Sequence, residues 1–224
     1  KKNSIMNKIV IFGTSQIAQL AKYYFDIDSS YDVVAFTVDQ EYISSDNFEE
    51  KPLVPFGDIK KLYPPSEYKM FIALSYSKMN KIREKKYFES KDLGYELVSY
   101  ISSKCSYLTQ FRHGDNCFIL EDNTIQPFVK IGSNVTLWSG NHIGHHSEIK
   151  DHNFISSHVV VSGSCIVESN CFLGVNCSIG HEVTLAKETL LGAGSSVVKN
   201  TEEKGVYLAS RSTKFKKDSD QVNL

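Results

Sequence analysis

The sequence predicts two domains of different fold class, an α/β domain over residues 1–100 and an all-β parallel helix over 101–205, followed by a C-terminal tail at 206–224. Three observations carry this. Short apolar runs alternate with amphipathic segments through the first hundred residues, as in a parallel sheet with crossing helices. From Ile101 to Val197, stepping by six, fifteen of seventeen positions are aliphatic, the exceptions being Tyr107 and His113. Four places on in each hexad the residue is small or modest, as at Val129, Val135, Ser147 and Ser195.

In the first domain "KIVIFG" (residues 8–13) reads as a short buried strand ending in glycine. "SQIAQLAKYYF" follows, with Ile17, Leu20, Ala21, Tyr24 and Phe25 at the spacing of an amphipathic helix that Ser15 can cap. "DVVAFTVD" is a second strand, then "GDIKKLY" is broken by Pro64 and Pro65, and "YKMFIALS" is a third strand. A Lys/Arg-rich helix runs from about Ser77 to Ser90, and "ELVSYI" closes the half as a strand. The alternation implies a small Rossmann-like parallel sheet with right-handed crossovers. Such folds place a ligand's phosphates on the amides that open the helix after Gly13. "GTSQIA" has one glycine where a dinucleotide fingerprint has three, which argues against a nicotinamide dinucleotide. Asp39, at the end of the second strand, is placed to meet a ribose or sugar hydroxyl.

In the second domain glycine often follows the aliphatic position, as in "IGSNVT", "IGHHSE" and "LGAGSS". Three hexads make one triangular coil, the aliphatic residue pointing into a narrow prism. Sixteen hexads over 101–196 give a little over five coils, stacked ~4.8 Å apart by parallel pairing. All five cysteines, Cys105, Cys117, Cys165, Cys171 and Cys177, share the fifth hexad position. There a thiol is a compact apolar filler, not a nucleophile or a zinc ligand.

Apolar content of 41%, charged content of 23% and a formal net charge of −1 are those of an ordinary globular protein. They give no electrostatic reason to expect nucleic acid or an anionic membrane as partner. No apolar run approaches the ~20 residues that span a bilayer, and "KKNSIMNK" lacks the apolar stretch of a secretory leader. A cytoplasmic location is expected, where a reducing thiol pool argues against disulfides.

Chemistry concentrates in "GNHIGHHSEIK" (residues 140–150), which holds His142, His145 and His146 at one corner together with Gly140 and Gly144. An imidazole ordinarily titrates near ~6.5 and suits proton abstraction around neutral pH. Spacing alone leaves open a metal site, a base with its helpers, and a polar bend. His152 and His158 fall at corners, and His113 at an inward position near the start of the prism. No Ser/His/Asp set at nucleophile-elbow spacing occurs.

"KIVIFGTS", the hexad run, "SNCFLGVN" and the closing "LLGAGSSVVKNTEEKGVYLASRSTK" together resemble the left-handed β-helix acyltransferases. More narrowly, the chain is similar, over nearly its whole length, to the two-domain bacterial sugar acetyltransferases. These comprise the nucleotide-amino-sugar N-acetyltransferases and the sialic-acid O-acetyltransferases. The resemblance implies a left-handed parallel β-helix, against the usual right-handed crossover rule. It also implies a homotrimer with acetyl-CoA between neighbouring prisms, and no metal. His145 is implied as general base, with His146 beside it, and the amide of Gly163 as the donor to the thioester oxygen. Acetyl-CoA is implied to run along Phe154, Gly163, Val175 and Ala193. A nucleotide-activated amino sugar would meet Gly13, Thr14, Ser15, Val38, Asp39, Ser75 and His142.

The activity so implied is acetyl-CoA-dependent N-acetylation of a nucleotide-linked amino-deoxy sugar in bacterial glycan synthesis, such as that of lipopolysaccharide, by direct attack on the thioester. Two alternatives stand beside it: O-acetylation of a sugar hydroxyl, as in sialic acid, and a zinc-dependent hydratase on the same fold. For the hydratase, His145 and His181 lie two coils apart, ~9–10 Å at strand spacing, and the place of the further ligand is Ala186. The amino-sugar relatives keep Glu or Asp directly after the catalytic histidine. His146 stands there in this chain; a neutral histidine can accept an Nδ1–H bond but lacks a carboxylate's field, so Glu148 or Asp151 substitutes, a neighbouring subunit does, or the base is less activated.

Overall fold

The structure is a computed structural model, and it describes residues 7–222. In the first domain β1 (Lys8–Phe12) is flanked by β2 (Asp32–Val38) and by β5 (Lys69–Ile72), and β4 (Lys51–Pro55) extends the sheet beyond β2, all parallel. β3 (Asn47–Phe48) closes that edge antiparallel to β4 through a tight hairpin at Glu49 and Glu50. The sequence reading missed β3 and β4. Two prolines, Pro52 and Pro55, lie in β4, and proline cannot donate to a ladder, so this stretch reads as loop.

α1 (Gln16–Asp28) packs Ala18, Ala21 and Phe25 on one face of the sheet. α2 (Ile59–Leu62) and α3 (Lys81–Asp92) cover the other, where Ile59 and Tyr87 meet Val10, Met70 and Ile72. α3 starts later than the sequence suggests. Lys78, Met79 and Asn80 hold φ of 51°, 53° and 64°, left-handed backbone that cannot continue into a right-handed helix. "ELVSYI" is not a closing strand of the sheet. Leu97 makes a single bridge to Met70, and Tyr100–Ile101 then pair with Phe118–Ile119 as the first rung of the second domain.

That domain is a left-handed parallel β-helix of two-residue strands. Its rungs repeat at the three-hexad step, as in Thr136↔Phe154, His142↔Val160 and Glu148↔Ile166. Every fourth hexad position from Asn116 to Gly194 has φ between +50° and +76°, which turns each corner. The aliphatic column from Ile119 to Leu191 is buried, and Cys117, Cys165, Cys171 and Cys177 pack with it. Burial pushes the thiols of Cys117, Cys171 and Cys177 up to about 12, so none is a nucleophile at neutral pH. The last rung, Val206–Tyr207 on Leu190–Leu191, lies beyond the boundary expected at residue 205. Its step is two residues short of the regular one, which takes it out of the hexad register.

The prism has three faces. The first carries strands Phe118–Ile119, Thr136–Leu137, Phe154–Ile155 and Phe172–Leu173, and the α/β domain lies on it. Phe118, Leu120 and Phe154 are buried there in one core with Phe25 and Phe71. The second face carries His142–Ile143 and Val160–Val161, and the third Glu148–Ile149 and Ile166–Val167. α3 docks on the edge between third and first faces through Arg83, only 1% exposed. Its guanidinium donates to the carbonyls of Ser75, Asn134 and Asn153 and to Asn134 Oδ1. Burial draws its pKa down to about 9. Among the described residues no helix is long and apolar enough to cross a membrane.

Candidate active site

β1 ends at Gly13, where φ is +131° and a Cβ would stand 2.6 Å from the Ala73 carbonyl oxygen. Only glycine fits, and the close approach leaves the start of α1 open. Ser15 occupies the N-cap position without a side-chain cap, contrary to expectation. Instead it lines a cavity of about 320 Å³ with Gly13, Thr14, Val38, Asp39 and Ser75. These six are the residues expected to bind substrate in this domain, and the fold brings them together.

Sequence reasoning missed Lys86, on the same wall. Its Nζ donates to Asp39 Oδ1 and to Glu89 Oε2, each at 2.7 Å, above the rings of Phe12 and Phe56. Asp39 is thus an ion-paired carboxylate. One lysine in a Lys-rich helix gave no signal; only its place on the inward side of α3 marks it.

A second group of residues sits on the edge between the second and third faces. The His145 ring lies across Gly163, where a Cβ would come 2.7 Å from its Cε1 and Nε2. Its backbone N–H donates to Gln126 Oε1, and its Nδ1 is 3.1 Å from Nδ1 of His146. His146 in turn stacks on Phe128 at 4.6 Å. Two neutral imidazoles meeting at their Nδ1 atoms share one hydrogen there, so one ring donates and the other accepts. Neither acid considered as an orienting group takes this role: Asp151 Oδ1 accepts the Ser133 N–H, and Glu148 makes no bond to His145.

His181 comes closer than strand spacing suggests, its ring centroid 6.3 Å from that of His145, because no side chain at Gly163 separates them. Among the described residues no three His, Cys, Asp or Glu converge as a metal site. His146, His152 and His158 hold φ of 57–62°, the left-handed corner that histidine tolerates better than most residues. His152 is buried with Nδ1 2.9 Å from Asn134 Nδ2, His158 lies against Gly140, and His113 bonds the Gly114 carbonyl, half-buried rather than inside the prism.

The residues expected along acetyl-CoA divide between places in one chain. Val175 and Ala193 follow one another on the edge between first and second faces, and Gly163 lies on the next edge with His145. Phe154 joins neither. It is 3% exposed on the first face, packed against Tyr76, Trp138 and Phe172, because the α/β domain covers that face. His142 stands on the second face between Thr124 and Val160. The edge with His145 is opposite the first face, so one chain does not bring its own α1 cavity to its own His145.

A family model described as bacterial transferase hexapeptide (six repeats) matches residues 112–145 and 129–163. No curated protein sequence matches significantly. Among solved structures, a mutant of perosamine N-acetyltransferase from Caulobacter crescentus, in complex with CoA and GDP-perosamine, superposes with a TM-score of 0.81 at 19% identity, over 90% of this chain and 93% of that one. The acetyltransferase domain of PglB from Neisseria gonorrhoeae gives 0.80 at 14% identity, over 91% and 97%. WeeI from Acinetobacter baumannii gives 0.78 at 17% identity, over 91% and 97%. The chain carries the hexapeptide repeat and, over about nine-tenths of its length, has the two-domain fold of these proteins.

Proposed function

We propose that this protein is an acetyl-CoA-dependent N-acetyltransferase acting on a nucleotide-linked amino sugar, with His145 as general base, and that it works as a homotrimer. The observation that carries the reading is the His145 imidazole laid over the side-chain-free Gly163 and backed by His146. The neighbours crystallised with CoA, and with GDP-perosamine, support the substrate class. The α1 cavity supplies what a sugar nucleotide needs: an apolar end at Val38 and hydroxyls at Thr14, Ser15 and Ser75 beside free helix amides.

The chemistry follows from the tautomers. For His145 Nε2 to hold a lone pair, the ring hydrogen sits on Nδ1 and donates to His146 Nδ1. The sugar amine attacks the thioester carbonyl carbon, Nε2 takes the proton, and the Gly163 N–H faces the oxygen as charge develops there. Collapse breaks the C–S bond and releases CoA. Because the edge with His145 is opposite the α/β domain, the base that meets a bound sugar belongs to a neighbouring copy. The second face suits close approach of another chain, its outward residues Thr124, His142, Val160, Ser178 and Ser196 including no Asp, Glu, Lys or Arg.

Incubation with labelled acetyl-CoA and a panel of nucleotide amino sugars and sialic acids tests the reading. The expected product is an amide on a nucleotide amino sugar. Label appearing only as an ester on a sialic acid would replace this reading with O-acetylation.

A further inference from the structure

The substrate cavity does not end at the α/β domain. Across a shared rim of Thr14, Ser15 and Ser75 it continues into a cleft between the two domains. One wall of this cleft is the start of α1, with Gln16 and Gln19. The other is aromatic: Tyr76, half exposed, sits over Phe154 and Phe172 at 5.0 and 4.6 Å, with Trp138 beside them. No Lys, Arg, Asp or Glu bounds it among the described residues. Beside the cleft Glu49 accepts from Gln19 Nε2 at 2.6 Å, and Arg83 is buried beneath Phe154 and committed to carbonyls and to Asn134 Oδ1.

The aromatic wall is held in place. The Trp138 carbonyl accepts from Asn123 and Asn141, and the indole N–H has no partner among the described residues. Tyr76 begins the left-handed turn over Lys78–Asn80, whose Asn80 is tied to the Cys171 carbonyl of the β-helix. Three such residues in succession are strained backbone, and here they set one aromatic ring at the mouth of a cleft.

We infer that this cleft is the sugar subsite, selecting a neutral or amine-bearing pyranose over an acidic one, with Trp138 and Tyr76 packing on an apolar face of the ring. This rests on the nucleotide-sugar reading above. If the nucleoside fills the α1 cavity and the diphosphate lies at the shared rim, the sugar has this cleft to enter. Aromatic rings hold the C–H face of a pyranose, and the free indole N–H and phenol supply directional bonds to hydroxyls. A sugar carboxylate would be desolvated against aromatic carbon with no cation to meet it.

The test is calorimetric titration of UDP, dTDP and GDP, of their amino-sugar conjugates, and of the corresponding uronic-acid conjugates. Wild type, Trp138→Ala, Trp138→Phe, Tyr76→Ala and Tyr76→Phe are compared. The amino-sugar conjugate should bind wild type more tightly than its bare diphosphate. Each alanine variant should lose about tenfold of that gain with affinity for the bare diphosphate unchanged, and the phenylalanine variants should recover part of it. The uronic-acid conjugate should bind no better than the bare diphosphate. A full sugar gain in both alanine variants, or tighter binding of the uronic acid, overturns the subsite while leaving the nucleotide reading intact. Failure of every bare diphosphate to bind wild type overturns both.

Discussion

His145 and His146 meet at two Nδ1 atoms that share one hydrogen, and their assignment decides whether His145 Nε2 is free to take a proton. His145→Ala should lower kcat by about a hundredfold or more, with acetyl-CoA affinity unchanged in an equilibrium titration. His146→Asn places an amide oxygen where Nδ1 now accepts, so it should keep most of kcat, whereas His146→Ala should not. Neither should move KM for the sugar nucleotide, because His146 acts through His145. Equal kcat for the Asn and Ala variants would remove His146 from the mechanism. At this scale the sequence was only partly legible. The hexad register put both histidines at one corner, but spacing left three candidates, and the resemblance selected His145. That His146 meets His145 at its Nδ1, and that Lys86 pairs with Asp39, depends on side-chain directions that no spacing encodes.

The docking of α3 on the prism edge is the element-scale counterpart. There the buried Arg83 spans Ser75, on the substrate cavity, and Asn134 and Asn153 of the β-helix. His152 lies beside it, its Nδ1 next to the Asn134 amide and its Nε2 3.7 Å from Glu84 Oε1. Burial lowers the His152 pKa against the attraction of Glu84 and Asp151, with Arg83 and Lys81 also opposing protonation. A depressed histidine pKa means that the unfolded chain binds the proton first. Its contribution to stability is therefore present above the unfolded value, ~6.5, and is lost as pH falls below it. The melting temperature of wild type should drop more steeply between pH 7 and 5 than that of His152→Asn, which suits the left-handed corner and keeps an acceptor for Asn134. Parallel curves would contradict this. The hexad pattern made the prism legible because one aliphatic position per six residues admits no other period. The α3 latch was not legible, since Arg83 stands in "KIREKKYF" as one cation among several, and its burial is decided by contacts more than fifty residues away. The short strand β4 was hidden by Pro52 and Pro55, and β3 by its two-residue length.

For the whole molecule, the decisive fact is that the α1 cavity lies on the first-face side and His145 on the opposite edge. On the proposed function, a catalytic unit would therefore take its base from one copy and its sugar nucleotide from another. The two-domain division and the β-helix were readable from the chain, but this opposition was not. It follows from which face the α/β domain covers, and Phe118, Leu120 and Phe154 reveal that only once they are seen packed against Phe25 and Phe71. Mixing two inactive variants tests it most directly: His145→Ala, which lacks the base, and Ser75→Trp, which fills the rim shared by cavity and cleft. Each alone should be inactive. Co-assembled in equal amounts, they should recover about a quarter of wild-type N-acetylation, the share of interfaces in a random cyclic oligomer that pair an intact base with an intact cavity. Co-assembled oligomers that remain inactive, while wild-type protein turns over, would contradict the account.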